Sequence, residues 1–124
     1  MKKVKNVRSE KRDSVVINGY RIEANANLEG ADLKDANLEE ADLEGANLKG
    51  ANLNGANLES ANLKWAIIED ADLGGANLEC SNLEMASLEG SNLDGANMKW
   101  ANLKGANLKD AYLEGANLGY AYFG

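Results

Sequence analysis

Ala26-Asn27-Leu28-Glu29-Gly30 is the first copy of a five-residue unit that runs without insertion to Gly124. The chain contains nineteen complete units and a last one that is short by one residue. Five residues advance an α-helix by about 500°, so the leucines would spiral around every side and form no apolar face. In an extended unit, by contrast, Ala and Leu lie two residues apart and point to the same side. The repeat therefore predicts three extended residues followed by a corner.

Repeated corners wind the chain into a β-solenoid, in which every coil rests on its neighbours. Asn or Asp, between Ala and Leu, points outward, whereas Ala and the central residue fill the core. The central residues, which are the predicted core, are Leu28, Leu33, Leu38, Leu43, Leu48, Leu53, Leu58, Leu63, Ile68, Leu73, Leu78, Leu83, Leu88, Leu93, Met98, Leu103, Leu108, Leu113, Leu118 and Phe123.

The unit Ala-(Asn/Asp)-Leu-x-x, repeated from Ala26 to Gly124, resembles the pentapeptide repeat family and covers about four-fifths of the chain. The resemblance implies an all-β fold, a right-handed four-sided β-helix with four pentads in each coil. It implies five coils and a rod of roughly 24 Å, at about 4.8 Å per coil. Residues twenty apart are then expected to lie above one another. The coils are residues 26–45, 46–65, 66–85, 86–105 and 106–124.

Two segments precede the solenoid of residues 26–124. Residues 1–13 form a basic N-terminal tail, and residues 14–25 are predicted to form a β-hairpin cap. In the second segment Asn-Gly stands between two β-branched runs, which is the pattern of a type I′ hairpin. A hairpin with one apolar face is not stable alone, so it is expected to cover the open end of the repeat. Its apolar face is predicted from two cross-strand pairs, Val15 with Ile22 and Ile17 with Tyr20.

One side of the predicted rod has no glycine at its corners. The last residue of its pentads is Glu40, Ser60, Cys80, Trp100 or Tyr120. Glycine at a corner usually indicates that the backbone there has positive φ. Since this side has no corner glycine, its corner residues are predicted to have negative φ. The same side carries an unbroken outward ladder whose stacked amides can bond to one another. The ladder is Asn37, Asn57, Asn77, Asn97 and Asn117.

Large apolar residues replace the expected corner residues at several positions. Trp65 and Met85 end pentads of the neighbouring side, and together with Cys80, Trp100 and Tyr120 they predict an exposed apolar strip. Exposed apolar patches often mark contacts with other proteins, so this strip is interpreted as a surface for a protein partner. The alternative is that the two tryptophan rings lie over adjacent backbone and shield it.

The last coil is rich in aromatic residues. A solenoid end exposes its core and its unpaired backbone, so it needs a cover. The aromatic residues are either that cover or one half of a symmetric end-to-end homodimer. The resemblance favours the dimer, because family members known to dimerise usually do so through the C-terminal end. The residues concerned are Tyr112, Tyr120, Tyr122 and Phe123.

The sequence lacks residues that many enzymes use for catalysis. The chain has no histidine and a single cysteine, so catalytic triads, imidazole ligands and a cysteine zinc site are excluded. The glycines follow the five-residue period and form no phosphate-binding loop. We therefore expect no enzymatic activity, no cofactor and no metal. The net charge of −7 argues against direct nucleic-acid binding. A lone thiol and the lack of any long apolar run predict a cytoplasmic protein without membrane contact.

These features predict a structural or protein-interaction module, a rigid rod whose partner the sequence does not name. The alternative implied by the resemblance is a DNA mimic of the quinolone-resistance type, which binds DNA gyrase or topoisomerase. The net charge of −7 agrees with mimicry of DNA. The acid is banded, however, since coil 26–45 holds seven acidic residues and one lysine, and no loop interrupts the pentads. Ice binding, a third interpretation, is disfavoured because the chain has no threonine.

Overall fold

A computed structural model describes residues 15–124 of the chain. Its two strands are β1, Val15–Ile17, and β2, Tyr20–Ile22, which pair antiparallel in a hairpin. Val15 pairs with Ile22 and Ile17 with Tyr20, which is the register predicted from the sequence. Everything after the hairpin is solenoid, without a helix in the described residues. The predicted basic tail, residues 1–13, and Ser14 lie outside the described residues.

The hairpin covers the N-terminal end of the solenoid. Ile17 and Ile22 are buried in the same apolar cluster as the first leucines of the repeat. The Asn18 side-chain amide donates to the Asp32 carbonyl at 3.0 Å. The Asp32 N–H in turn donates to the Tyr20 hydroxyl at 3.4 Å. Apolar burial and these hydrogen bonds together hold the hairpin on the first coil.

Each coil of the solenoid takes twenty residues. The N–H of Leu58 donates to the Asn77 carbonyl at 2.7 Å, and the N–H of Asn77 donates back to the Ala56 carbonyl at 2.9 Å. The corner adds a third bond, from the Ser60 N–H to the Glu79 carbonyl at 2.9 Å. The same parallel pairing recurs along the rod, from Asn27 with Asn47 to Asn102 with Tyr122. Residues twenty apart therefore stack, as expected for four pentads per coil.

The four sides of the rod are numbered here by their pentads. Side one has the pentads that begin at residues 26, 46, 66, 86 and 106. Sides two, three and four follow in steps of five residues, so that side three is the side without corner glycines. The fifth residue of a pentad forms the corner at which its side ends.

The prediction of negative φ at the corners of side three is wrong. The fifth residue of all nineteen complete pentads has positive φ, whether or not it is glycine. Ser60 has φ of 60°, and the following Ala61 N–H donates to the Leu58 carbonyl at 3.0 Å, as in a type II turn. One turn geometry serves every corner because the corner N–H must reach the next coil. The corner residues of side three adopt a conformation that glycine adopts more easily.

The core follows the central position of the pentad over most of the rod. From Leu28 to Leu103 the central residues are at most 2% exposed. Leu108, Leu113 and Leu118 are only partly buried. Phe123, predicted in the core, is 55% exposed, and that prediction is wrong. A core side chain is buried by the coils on both sides of it, and within residues 15–124 the residues of coil 106–124 have a coil on one side only.

The outward asparagine ladder of side three serves mainly to cap the backbone. The Asn77 side-chain oxygen accepts the Glu79 N–H at 3.1 Å, two residues further on. The amide of Asn77 also donates to the Asn57 oxygen, but at 3.4 Å, which is a long hydrogen bond. The same pair of contacts recurs at Asn97. Bonding between stacked amides is thus present and secondary to the capping of each corner.

Substitutions at Ser60 test whether the left-handed corner is strained. Ser60→Gly is expected to raise the free energy of unfolding by about 0.5 kcal/mol, because relief of left-handed strain exceeds the added chain entropy of glycine. Ser60→Val is expected to lower it by about 1–2 kcal/mol, since β-branched residues fit positive φ poorly. Urea denaturation measures both changes. Glu59→Val, one residue earlier and without positive φ, is the control. A Ser60→Val protein as stable as this control would contradict the turn assignment.

Candidate protein-interaction surfaces

Corner side chains lean along the rod toward the next coil. A side chain at Gly105 would collide with the sulfur of Met85, which stands one coil earlier at the same corner. In the same way, a side chain at Gly90 would collide with the carboxylate of Asp70. Large corner residues thus cover the glycine of the coil that follows. The corners become continuous edges of the rod that are open to solvent.

The corner that ends side three carries an aromatic pair. The rings of Trp100 and Tyr120 are stacked, with centroids 4.5 Å apart and planes 12° from parallel. Both rings are more than half exposed. Cys80, one coil before Trp100, is an exposed free thiol. We call Cys80, Trp100 and Tyr120 the aromatic edge.

Trp65 and Met85 lie on a different edge, the corner that ends side four. Their side chains are 53% and 41% exposed, and Ile67 beside them is 41% exposed. The single strip predicted from sequence is therefore two edges with side four between them. The reason is that the fifth residues of successive pentads occupy successive corners. We call Trp65, Ile67 and Met85 the aliphatic edge.

Ile67 is a surface residue that the sequence analysis missed. It occupies the outward position that is Asn or Asp in most pentads, and its neighbour twenty residues later is Ser87. An isoleucine cannot accept the backbone N–H two residues further on, so the cap that asparagine provides is lost at Glu69. The signal was present in the sequence as a break in the outward asparagine pattern.

An acidic cleft lies next to the aliphatic edge, where side one meets side two. Its volume is about 480 Å³. Ser87 donates to the Glu69 carboxylate at 2.8 Å, which fixes one wall of the cleft. Its sequence signal is aspartate instead of glycine at two corners of side one, Asp70 and Asp110. The cleft is lined by Glu69, Asp70, Glu89, Gly90, Asp110 and Tyr112.

The C-terminal end leaves part of the backbone and core uncovered. The N–H groups of Leu108, Leu113 and Leu118 lack the inter-coil acceptor that the same groups have in earlier coils, within residues 15–124. Tyr112, Tyr120, Tyr122 and Phe123 are each more than half exposed around this end. The residues predicted to form the dimer end are therefore all at the surface.

The described residues offer no site for a metal ion. No group of three or more His, Cys, Asp or Glu side chains in residues 15–124 is arranged to hold one. The ion pair between Lys64 and Glu84, at 3.9 Å, joins successive coils of side four.

No helix in this part of the chain has the length and apolar character needed to cross a membrane.

Comparison with known families gives a match over most of the chain. The model described as pentapeptide repeats matches in eight copies, over residues 24–59, 56–95 and 81–119. A comparison with curated proteins gave no match.

Among solved structures, the chain is similar to the pentapeptide repeat protein Rfr23 of the cyanobacterium Cyanothece 51142. The identity is 39%, the TM-score is 0.74, and the match covers 76% of this chain and 65% of Rfr23. A pentapeptide repeat protein of the Arabidopsis thaliana thylakoid lumen is 29% identical, with a TM-score of 0.49 and coverage of 82% and 66%. The chain thus spans just under two thirds of the length of both.

The fluoroquinolone resistance protein QnrB1, which is plasmid-mediated, is a more distant neighbour. It is 18% identical, with a TM-score of 0.47, and the match covers 81% of this chain and 73% of that one. A likeness at this identity and TM-score carries no argument about this chain.

The stacking of Trp100 on Tyr120 predicts a measurable coupling energy between these two residues. A double-mutant cycle of Trp100→Ala and Tyr120→Ala, followed by urea denaturation, is expected to yield a coupling energy of about 0.5–1 kcal/mol, because offset aromatic pairs attract beyond their buried area. The matched cycle combines Trp65→Ala with Tyr120→Ala, which lie on different edges, and should yield no coupling. Equal couplings in the two cycles would contradict the stack.

Proposed function

Because the chain belongs to the pentapeptide repeat family, we propose that it is a non-enzymatic rod that binds other proteins through its edges and its C-terminal end. Members of this family form right-handed quadrilateral β-helices, a fold that is generally structural. The observation that carries the proposal is the exposure of Trp65 and Trp100, both at corners where glycine would suit the backbone better. Exposed apolar patches of this kind are typical of protein contacts. The single free thiol, Cys80, supports a cytoplasmic location.

A second copy of the chain is the proposed occupant of the C-terminal end. The partly buried leucines of coil 106–124 and the exposed Tyr122 and Phe123 offer an apolar surface. Within residues 15–124 the N–H groups of Leu108, Leu113 and Leu118 have no inter-coil acceptor, and a facing copy related by a two-fold axis would cover both these groups and the apolar surface. The proposed dimer is end to end and doubles the length of the rod.

The mass in solution tests this dimer. Light scattering at about 100 μM protein is expected to give the mass of two chains for the wild type. Tyr122→Glu should give the mass of one chain, because charges placed in an apolar contact oppose association. Tyr122 is already exposed, so the variant should fold. Trp65→Glu, on the aliphatic edge, is the control and should remain dimeric. A wild-type mass of one chain would refute the dimer.

The proposal also predicts no effect on DNA gyrase. A duplex mimic needs a continuous line of negative charge, whereas the acid here is concentrated in coils 26–45 and 66–85, with lysines Lys49 and Lys64 in the coil between them. Supercoiling by gyrase at micromolar protein, with and without ciprofloxacin, is expected to be unchanged. A quinolone-resistance pentapeptide protein serves as the positive control. Inhibition of supercoiling, or protection from the drug, would favour mimicry over the proposed role.

A further inference from the structure

The aliphatic edge is unusual because its three side chains are larger than the repeat requires. Trp65 and Met85 occupy corners with φ of 64° and 61°, and neither is glycine. Ile67 replaces the asparagine that would cap the Glu69 N–H. All three side chains are exposed, so burial in the core does not explain them. They occupy neighbouring positions on the surface, since Trp65 and Ile67 are two residues apart and Met85 stands one coil above Trp65.

The neighbouring cleft is lined by four carboxylates, and the lysines nearest to them in the repeat, Lys49 and Lys109, stand one coil from Glu69 and Glu89. Within residues 15–124, Glu69, Asp70, Glu89 and Asp110 form no ion pair with lysine or arginine. Coil 66–85 holds five acidic residues and no basic one. Like charges that line one cleft repel one another, and a cation brought from outside relieves that repulsion. The cleft thus favours a cationic occupant.

Glu69 and Ser87 make the cleft and the aliphatic edge one surface. Ser87 pairs with Ile67 in the parallel ladder, so it lies directly beside the aliphatic edge. Its hydroxyl holds Glu69 at 2.8 Å, and Glu69 lines the cleft. Apolar and acidic groups therefore lie side by side on side one in coils 66–85 and 86–105, with Trp65 at the end of coil 46–65 and Asp110 in coil 106–124.

We infer that this surface binds a basic amphipathic segment of another protein, with its apolar side chains on Trp65, Ile67 and Met85 and its lysines or arginines in the cleft. The inference rests on the proposed function and deepens it, because it names one binding surface and the chemistry of its partner. Charge complementarity selects the partner: an acidic or nucleic-acid segment would be repelled by the four carboxylates. The apolar contact supplies affinity that charge pairing at an exposed site does not.

A designed peptide provides the probe. It is a synthetic amphipathic helix of about 18 residues built from leucine and lysine, long enough to form several turns. One control peptide replaces every leucine with serine and keeps the charge. A second control replaces every lysine with glutamine and keeps the leucines. The protein is the full chain carrying Trp100→Phe, so that Trp65 is the sole tryptophan and reports on the surface.

The variants restore the residue that the repeat itself prefers, so they should all fold, as circular dichroism will verify. Ile67→Asn removes the apolar centre, and Asp70→Gly with Asp110→Gly removes two charges of the cleft. Asp35→Gly is the matched control, because Asp35 has φ of 57° at a different corner, in coil 26–45. Each aspartate variant therefore replaces an acidic corner residue with glycine.

Binding of the basic peptide is expected to shift the Trp65 emission to shorter wavelength. Ile67→Asn should weaken binding about tenfold, because an apolar contact is lost. The double aspartate variant should weaken it about fivefold and reduce its dependence on salt. Asp35→Gly should leave the affinity unchanged.

Four outcomes would overturn the inference: no Trp65 shift, equal binding of the glutamine peptide, equal binding of the serine peptide, or equal weakening by Asp35→Gly. The last two would mean that general charge attraction governs binding. Equal binding of the glutamine peptide would overturn the basic partner while leaving the proposed function in place. The light-scattering mass of the same samples tests the proposed dimer separately, because Ile67 lies two coils before Tyr122.

Discussion

A left-handed residue at every corner is the constraint on which the rod depends. Because the fifth residue of each complete pentad has positive φ, every side ends after three extended residues. Equal sides close after four pentads, which brings residues twenty apart into parallel pairing. Leucine then stacks on leucine inside, and the corner N–H reaches the carbonyl of the next coil. The core, the hydrogen-bond ladder and the outward columns all follow from that one backbone conformation.

The sequence predicted well what depends on spacing. The resemblance to the pentapeptide repeat family and the β-solenoid fold are confirmed, because a five-residue period leaves few alternatives. The prediction of negative φ at the corners of side three is wrong, because a corner without glycine has the same turn as the others. In a stacked repeat the conformation of Ser60 is imposed by bonds to its neighbours, such as that to Glu79, and not by its own preference. Phe123 was mispredicted because burial requires a covering coil.

The candidate surfaces were predictable only in part. Trp65 and Trp100 stand out in any reading of the sequence because they are the only tryptophans. Their separation onto two edges follows from the corner geometry, and the cleft follows from the way Asp70 leans over Gly90. Such a lean is a property of side-chain packing and needs coordinates. Ile67 was the exception, since its place in the asparagine pattern was visible in the sequence.

The fold separates positions that specify it from positions that are free. Ala and Leu, the first and third residues, fill the core, whereas the second, fourth and fifth face solvent. A non-glycine residue in the left-handed region costs about 1–2 kcal/mol, so Trp65, Asp70, Met85 and Asp110 oppose the preference of the corner. Ile67 opposes the preference for a cap. These five departures lie on side one or at its two corners, and the ladder of inter-coil hydrogen bonds tolerates them. Stability of the rod does not account for these side chains, whereas recognition of a partner by side one would.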